Sequence, residues 1–142
     1  MSRFPIRKPK PRKSEEDSFQ TKLVNELTWR LRPEVIMAAI PNGGFRSGRT
    51  AATLKRTGVK RGMTDLVFAF ERGQTGWLEL KFGKTPLSDV QLGIQHRLIT
   101  MGHRHGVART IEQALSIVAL WGLLKKGAIY RTPPKDLKNA IT

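Results

Sequence analysis

The sequence lacks cysteine altogether, and it has no apolar segment long enough to span a membrane. Without cysteine, disulfides, thiolate zinc sites and cysteine nucleophiles are all excluded. The longest nearly unbroken apolar run, Ile117 to Leu124, is far shorter than the roughly 18 residues that a membrane-spanning helix needs. The first residues are rich in Arg, Lys and Pro and have no apolar centre, so they do not follow the pattern of a secretory signal. These absences favour an intracellular location, in the cytoplasm or nucleoid.

Acidic residues are scarce as well. The 142 residues include 26 Lys and Arg against 11 Asp and Glu, which gives a net charge of +15 at pH 7. A surplus of this size predicts a polyanionic partner, either nucleic acid or an anionic membrane surface. Hydrophobic residues make up 39% of the chain and charged residues 26%, so a folded core is feasible. The length fits one domain with flexible ends.

The positive charge is concentrated in two segments. Residues 1–13 and 43–64 each contain six basic residues and no acidic one, so together they carry twelve of the fifteen net charges. The first segment also contains three prolines, which predicts an extended, flexible arm. That arm is either a solubilising tail or a contact to phosphates. We interpret residues 1–13 as a basic N-terminal arm, 14–124 as the folded domain and 125–142 as a basic C-terminal tail.

Hydrophobic spacing and turn residues predict helices and strands in the order αβαββαβα. The first helix is marked by a capping residue, Ser14, and ends before Pro33. Its apolar stripe consists of Phe19, Leu23, Val24, Leu27 and Leu31. Further helices are predicted over 50–56, 88–101 and from 110 onward, and strands over 34–40, 63–70, 76–82 and 106–109. This order indicates an α/β fold in which helices flank a small mixed sheet.

A predicted hairpin brings three charged residues toward one face of the sheet. Glu79 and Lys81 are two residues apart on the second strand, so their side chains share a face. A turn that pairs Phe70 with Gly76 would place Asp65 opposite Lys81, and any register that pairs odd with odd positions keeps all three on one face. A slip of one residue would separate them. The alternative interpretation of Glu79 and Lys81 is a solvent-facing ion pair.

Such a cluster has a definite chemistry. Two neighbouring carboxylates bind a hard divalent cation such as Mg²⁺ through oxygen ligands. A nearby lysine can hold or activate a water molecule, or stabilise charge that develops on a phosphate. Glu16 lies near the centre of the apolar stripe of the first helix, so its carboxylate needs a partner in the core. A metal ion is one candidate for that partner, and a partly hydrated helix end is the other.

Other polar residues have structural explanations of equal weight. Ser88-x-x-Gln91 is a capping box, which accounts for Gln91 without a functional role, and Thr110-x-x-Gln113 repeats the pattern. The three histidines, His96, His103 and His105, lack cysteines or suitably spaced carboxylates beside them. We therefore expect His103 and His105 to face solvent or phosphate rather than a metal.

Several short motifs together resemble one known family. They are Glu16-x-x-x-Gln20, Pro41-Asn42-Gly43-Gly44, Leu54-Lys55-x-x-Gly58-x-x-x-Gly62-x-x-Asp65-Leu66, Glu79-Leu80-Lys81 and Leu87-Ser88-x-x-Gln91. In order and spacing they resemble the VRR-NUC family of the PD-(D/E)xK nuclease superfamily, over about residues 15–124. Thr64 stands where the superfamily name places Pro, a position at which many members vary. That family includes stand-alone virus-like proteins and domains fused to helicases and DNA-repair proteins, so a viral origin would place this chain in the host cytoplasm.

The resemblance implies a restriction-endonuclease-like core and a set of site residues. Mg²⁺ or Mn²⁺ would be bound by Asp65 and Glu79, by the Leu80 backbone carbonyl and, directly or through water, by Glu16. Lys81 would position or activate the hydrolytic water, and Gln91 would add a polar contact from the following helix. Catalytic roles are thus expected for Asp65, Glu79, Lys81 and Gln91.

We therefore expect a metal-dependent DNA endonuclease that is selective for branched or junction DNA. Its predicted DNA-backbone contacts are Arg46, Arg49, Lys55, Arg56, Lys60 and Arg61, which otherwise form a solvated loop. The alternative function is a non-catalytic basic nucleic-acid-binding module. A homodimer is a candidate assembly, because Leu115, Val118, Trp121 and Leu124 form an apolar face on the last helix. That face can equally belong to the core.

Overall fold

The predicted order of helices and strands is confirmed. The computed structural model describes residues 13–41 and 48–128, and the rest of the predicted arm and tail lies outside them. The elements are α1 (Lys13–Arg30), β1 (Ile36–Ala39), α2 (Gly48–Arg56), β2 (Leu66–Phe70), β3 (Gln74–Leu80), α3 (Asp89–Thr100), β4 (Arg104–Ala108) and α4 (Ile111–Leu120). α1 begins one residue before the predicted cap and ends at Arg30, ahead of Pro33, because proline cannot continue a helix. No helix in the described ranges is long and apolar enough to cross a membrane.

The four strands form a small mixed sheet in the order β1-β2-β3-β4, which confirms the predicted α/β fold. β1 pairs with β2 and β2 with β3 in antiparallel fashion, whereas β3 and β4 are parallel. A parallel pair needs a crossover connection, which α3 provides. The start of β2 and the ends of β3 and β4 therefore lie together at one end of the sheet. We call this end the site edge.

One face of the sheet carries the hydrophobic core. Leu66, Phe68 and Leu78 are fully buried there, in one cluster with leucines of α1 and with Val118 of α4. Each such side chain contributes about 1.5–3 kcal/mol when it is removed from water. The even-numbered positions of β2 and β3 thus face α1 and α4, and the odd-numbered positions are directed to the opposite face.

Glycines in two strands allow α4 to pack closely on the sheet. A Cβ atom on Gly76 would lie 2.6 Å from the Trp121 ring, and one on Gly106 would lie 2.8 Å from Ile117. In the space left by Gly76, the Trp121 ring packs edge-on against Phe68, with 6.0 Å between ring centroids. The absence of a Cβ atom at these two glycines therefore sets how closely α4 packs against the sheet.

The apolar face predicted for the last helix belongs to the core. Leu115 and Val118 are buried, and Leu124 packs against the same cluster and forms a β-bridge with Leu31. That face is covered within the chain, so it offers nothing to a second copy. The homodimer remains a prediction without this support.

The hairpin turn between β2 and β3 is shorter than predicted. Phe70 pairs with Gln74 rather than with Gly76, and only Glu71, Arg72 and Gly73 lie between the paired residues. Arg72 and Gly73 both adopt left-handed backbone, with φ of 62° and 67°, and the Gln74 amide donates a hydrogen bond to the Glu71 carbonyl across the turn. The register differs from the predicted one by two residues, so each side chain keeps its predicted face.

Candidate active site

Asp65 lies across from Glu79 at the site edge. The β2–β3 register pairs Leu66 with Leu78, and its continuation by one residue brings Asp65 opposite Glu79 rather than opposite Lys81. Side chains that face each other across antiparallel strands have Cβ atoms about 4.5–5.5 Å apart. The backbone amide of Leu80 donates a 2.7 Å hydrogen bond to Asp65 Oδ2, and Ile40 donates one of 2.8 Å to the Asp65 carbonyl. Both the side chain and the backbone of Asp65 are therefore fixed.

Glu79, Lys81 and Gln91 are joined in one hydrogen-bonded group. The Gln91 side-chain amide donates a 2.6 Å bond to Glu79 Oε1, and Lys81 Nζ donates a 2.7 Å bond to Gln91 Oε1. Lys81 Nζ also lies 3.8 Å from Glu79 Oε1, and both side chains are largely buried. The structure thus brings together the four residues for which catalytic roles were predicted: Asp65, Glu79, Lys81 and Gln91.

Gln91 forms the predicted capping box and also contacts the charged residues at the site edge. As the third residue of α3, it completes the capping box: its amide donates to Ser88 Oγ, and its side-chain oxygen accepts from the Ser88 amide. The same side chain contacts Glu79 and Lys81. A residue that caps the helix therefore also spaces the acidic and the basic group of the site.

Burial makes the Glu79 carboxyl a much weaker acid than an ordinary glutamate. Only 4% of the residue is exposed, and this burial is the largest of the causes that raise the pKa of Glu79 from 4.5 to about 8. The neighbouring Asp65 charge acts in the same direction, whereas the Lys81 ammonium partly opposes the shift. A second positive charge near Glu79 would therefore favour its ionised form strongly.

The donor set fits a magnesium-type ion with few protein ligands. Among the described residues, no group of three or more His, Cys, Asp and Glu side chains could hold a metal, so the site offers the carboxylates of Asp65 and Glu79. Mg²⁺ is commonly bound by one or two carboxylates, with waters and substrate phosphates completing its shell. A buried carboxylate with a raised pKa, beside a second carboxylate, is a suitable place for such an ion. Glu16 lies in α1, but its side chain is not among those that the structure describes. Its predicted role in metal binding therefore stays a prediction.

Four basic residues lie at the end of α2 and in the segment that leads from it to Asp65, which together we call the basic loop. Lys55, Arg56, Lys60 and Arg61 are all exposed, and none of these four forms an ion pair with a described carboxylate. A Cβ atom on Gly62 would lie 2.5 Å from Val90 Cγ1, so this loop runs directly against the first turn of α3. Arg46 and the side chain of Arg49 lie outside the described residues.

Two of the three histidines hydrogen-bond to neighbouring polar side chains. His103 Nδ1 hydrogen-bonds to Thr75 Oγ1 at 2.7 Å, and His105 Nδ1 contacts the Gln95 amide at 3.3 Å. Both rings are partly buried on the sheet face that α3 covers, and burial lowers the pKa of His105. Both histidines are thus only partly open to solvent, because β4 begins at Arg104 and places them within and beside the strand, and their contact with phosphate stays a prediction.

One basic residue near the site was missed in the sequence. Arg109 directly follows β4, and its guanidinium donates a 2.8 Å hydrogen bond to the Gly83 carbonyl, just beyond Lys81. The sequence signal was present, since a basic residue stands between a predicted strand and a predicted helix cap. The parallel pairing that carries it to the site edge was not predicted.

One solved structure has a similar fold. It is described as a VRR_NUC domain protein, and the match has a TM-score of 0.57 and 21% sequence identity over 75% of this chain and 86% of that chain. This chain has the VRR_NUC fold. No family model matches the sequence, and no curated protein matches it. The likeness to the VRR_NUC structure therefore establishes architecture, and function must be argued from the site.

Proposed function

We propose that this protein is a divalent-metal-dependent DNA endonuclease of the VRR-NUC type, within the PD-(D/E)xK superfamily. The observation that supports the proposal best is the contact group at the site edge. Asp65 faces Glu79, and Gln91 bridges Glu79 to Lys81 with hydrogen bonds of 2.6 and 2.7 Å. A structural ion pair alone would need neither the second carboxylate nor the bridging amide.

Each residue of the proposed site has one role. Asp65 and Glu79, with the Leu80 carbonyl and Glu16, would hold Mg²⁺ or Mn²⁺. When bound, such an ion polarises the scissile phosphate and lowers the pKa of a bound water. Lys81, held by Gln91, orients the attacking water and stabilises negative charge on the phosphate. Gln91 is a positioning residue, because it acts through Glu79 and Lys81.

DNA is the proposed substrate because of the charge around these carboxylates. The exposed Lys55, Arg56, Lys60 and Arg61 precede Asp65 and would contact phosphates of the bound strand, together with Arg46 and Arg49. The two carboxylates alone would repel a polyanion, so the basic loop supplies the attraction that binding requires. Selectivity for branched or junction DNA is part of the proposal.

Cleavage by matched variants tests this function. Wild type, Asp65→Asn and Glu79→Gln are incubated with linear, flapped and four-way-junction DNA in Mg²⁺, in Mn²⁺ and in chelator. Lys22→Ala serves as the control, because Lys22 is an exposed cation on α1, on the other side of the sheet. We expect wild type and the control to cleave only with metal, fastest on branched substrates, and both site variants to lose at least about 100-fold in rate.

Equal cleavage by wild type and Asp65→Asn would refute the enzyme assignment. Metal-independent binding without cleavage by any of the proteins would instead support the alternative, a non-catalytic nucleic-acid-binding module. The mass of the protein in solution, measured with and without junction DNA, tests the homodimer.

A further inference from the structure

Arg109 is anchored at the site edge, one strand away from Lys81. The carbonyl of Ala108 accepts a 2.9 Å hydrogen bond from the Lys81 amide, so β4 ends directly beside the catalytic lysine. The Arg109 amide donates a 2.8 Å bond to Gln113 Oε1, and Gln113 in turn bonds to the α4 cap, Thr110. The Arg109 backbone is therefore held by both the sheet and the helix that follows.

The Arg109 side chain is oriented but its charge is not neutralised. Its Nη1 donates to the Gly83 carbonyl at 2.8 Å, which uses one of the five N–H donors of a guanidinium. Arg30 and Arg32 pair with Glu26 and Glu71, respectively. Arg109, in contrast, has no ion pair with any carboxylate in residues 13–41 and 48–128. A fixed, partly exposed guanidinium with spare donors is well suited to bind a phosphate.

Arg109 follows β4, which lies on the other side of β3 and Glu79 from β2. Lys55 to Arg61 lead into β2, whereas Arg109 follows β4, and β3 with Glu79 lies between the two. Neighbouring strands are about 4.8 Å apart, so β2 and β4 are separated by about 10 Å. One DNA strand rises about 3.4 Å per nucleotide. A backbone that crosses the site edge therefore passes Arg109 about one to three nucleotides from the phosphate at Asp65 and Glu79.

We propose that Arg109 binds a DNA backbone phosphate about one to three nucleotides from the scissile one, on the β4 side of Glu79. Lys84, exposed in the same turn as Gly83, adds a second positive charge to this contact. The proposal rests on the proposed function for the position of the scissile phosphate. The site would then contact DNA phosphates through two separate segments, the basic residues that precede β2 and Arg109 after β4.

Binding measured without cleavage tests the contact. Fluorescence anisotropy of labelled DNA is recorded in chelator over a range of salt for wild type, Arg109→Ala, Arg109→Gln and Lys84→Ala, with Lys22→Ala as the matched charge control. We expect the Arg109 variants to bind about 5- to 10-fold more weakly at 0.1 M salt. The slope of log K against log salt should become shallower by about 0.9 for each lost contact on duplex DNA. A loss no larger than that of the Lys22 control would overturn the proposal.

A phosphate scan separates a direct contact from a structural role. Single neutral methylphosphonate linkages are placed at successive positions around the cleaved bond. We expect one linkage, one to three nucleotides away, to weaken wild type and to have no further effect on Arg109→Gln. If every linkage weakened both proteins equally, Arg109 would act only by holding the turn at Gly83, and the proposal would fail.

These outcomes are distinguishable from failure of the enzyme assignment. Binding in chelator does not depend on catalysis, so a protein that never cleaves DNA would still show the Arg109 dependence if this contact exists. Conversely, metal-dependent cleavage that is lost in Asp65→Asn and unaffected in Arg109→Gln, in both rate and KM, would uphold the endonuclease and refute the contact.

Discussion

Replacement of Glu79 by glutamine should stabilise the metal-free protein increasingly as pH rises above about 4.5, with the full gain reached above about pH 8. The pKa of Glu79 is raised from 4.5 to about 8 by burial and by Asp65. Between these two values the folded protein keeps a proton that the unfolded chain has released, so the free energy of unfolding falls as pH rises. Above pH 8 the folded protein carries a buried charge at its full cost. Glutamine has the same shape, remains neutral, and can still accept the hydrogen bond from Gln91.

The magnitude follows from the same pKa. The difference between 4.5 and about 8 corresponds to at most about 5 kcal/mol. Relaxation around a charged Glu79 reduces this, and we expect Glu79→Gln to gain about 2–4 kcal/mol in unfolding free energy at pH 9. At pH 5 both proteins have a neutral side chain at this position, so the difference should fall below about 1 kcal/mol.

Urea unfolding in chelator at pH 5, 7 and 9 measures this difference. Glu112→Gln is the control, because Glu112 is exposed on α4 and its change should stay within about 0.5 kcal/mol at each pH. A constant difference between wild type and Glu79→Gln across the pH range would refute the argument, and so would destabilisation at pH 9. Mn²⁺ at 100 times its dissociation constant should restore about 2.7 kcal/mol to wild type at pH 9, and much less to the variant.

Three further predictions concern neighbouring residues. Gln91→Ala should lower kcat about 10- to 100-fold and the free energy of unfolding by about 1–2 kcal/mol. Ser88→Ala removes only the helix cap and should lower the free energy of unfolding without a change in kcat. Single-turnover kinetics measure the first effect and urea unfolding the second. Gly76→Ala should destabilise by about 1–3 kcal/mol, because its Cβ would lie 2.6 Å from Trp121, and the change in thermal midpoint reports it. Arg61→Ala should weaken DNA binding similarly for all sequences and make the salt slope shallower by about 0.9 on duplex DNA, as measured by anisotropy.

The face of each site residue could be predicted from the sequence, but its partner could not. Strand side chains alternate with period two, so Asp65, Glu79 and Lys81 keep one face under any even shift of register. Which residue lies opposite Asp65 depends on the length of the turn. Arg72 adopts left-handed backbone there, an uncommon conformation for a residue other than glycine, and the local sequence gave no sign of it.

Contacts that depend on the α3 crossover could not be predicted from local sequence patterns. Arg109 reaches Gly83, 26 positions earlier in the chain, because β4 lies parallel to β3. The capping box of α3 was readable from two residues at a fixed spacing. That the same Gln91 also reaches Glu79 requires the position of α3 over the sheet, which only packing determines.

Because Gln91 both caps α3 and contacts Glu79 and Lys81, the site is assembled only while the first turn of α3 is folded. When the first turn of α3 frays, Ser88 loses its hydrogen bonds, and in the same event Glu79 and Lys81 lose the amide that separates them. The fraction of molecules with an assembled site is therefore set by the opening equilibrium of one helical turn. Hydrogen exchange of the Ser88 and Gln91 amides thus reports how much of the protein is ready to act at any moment.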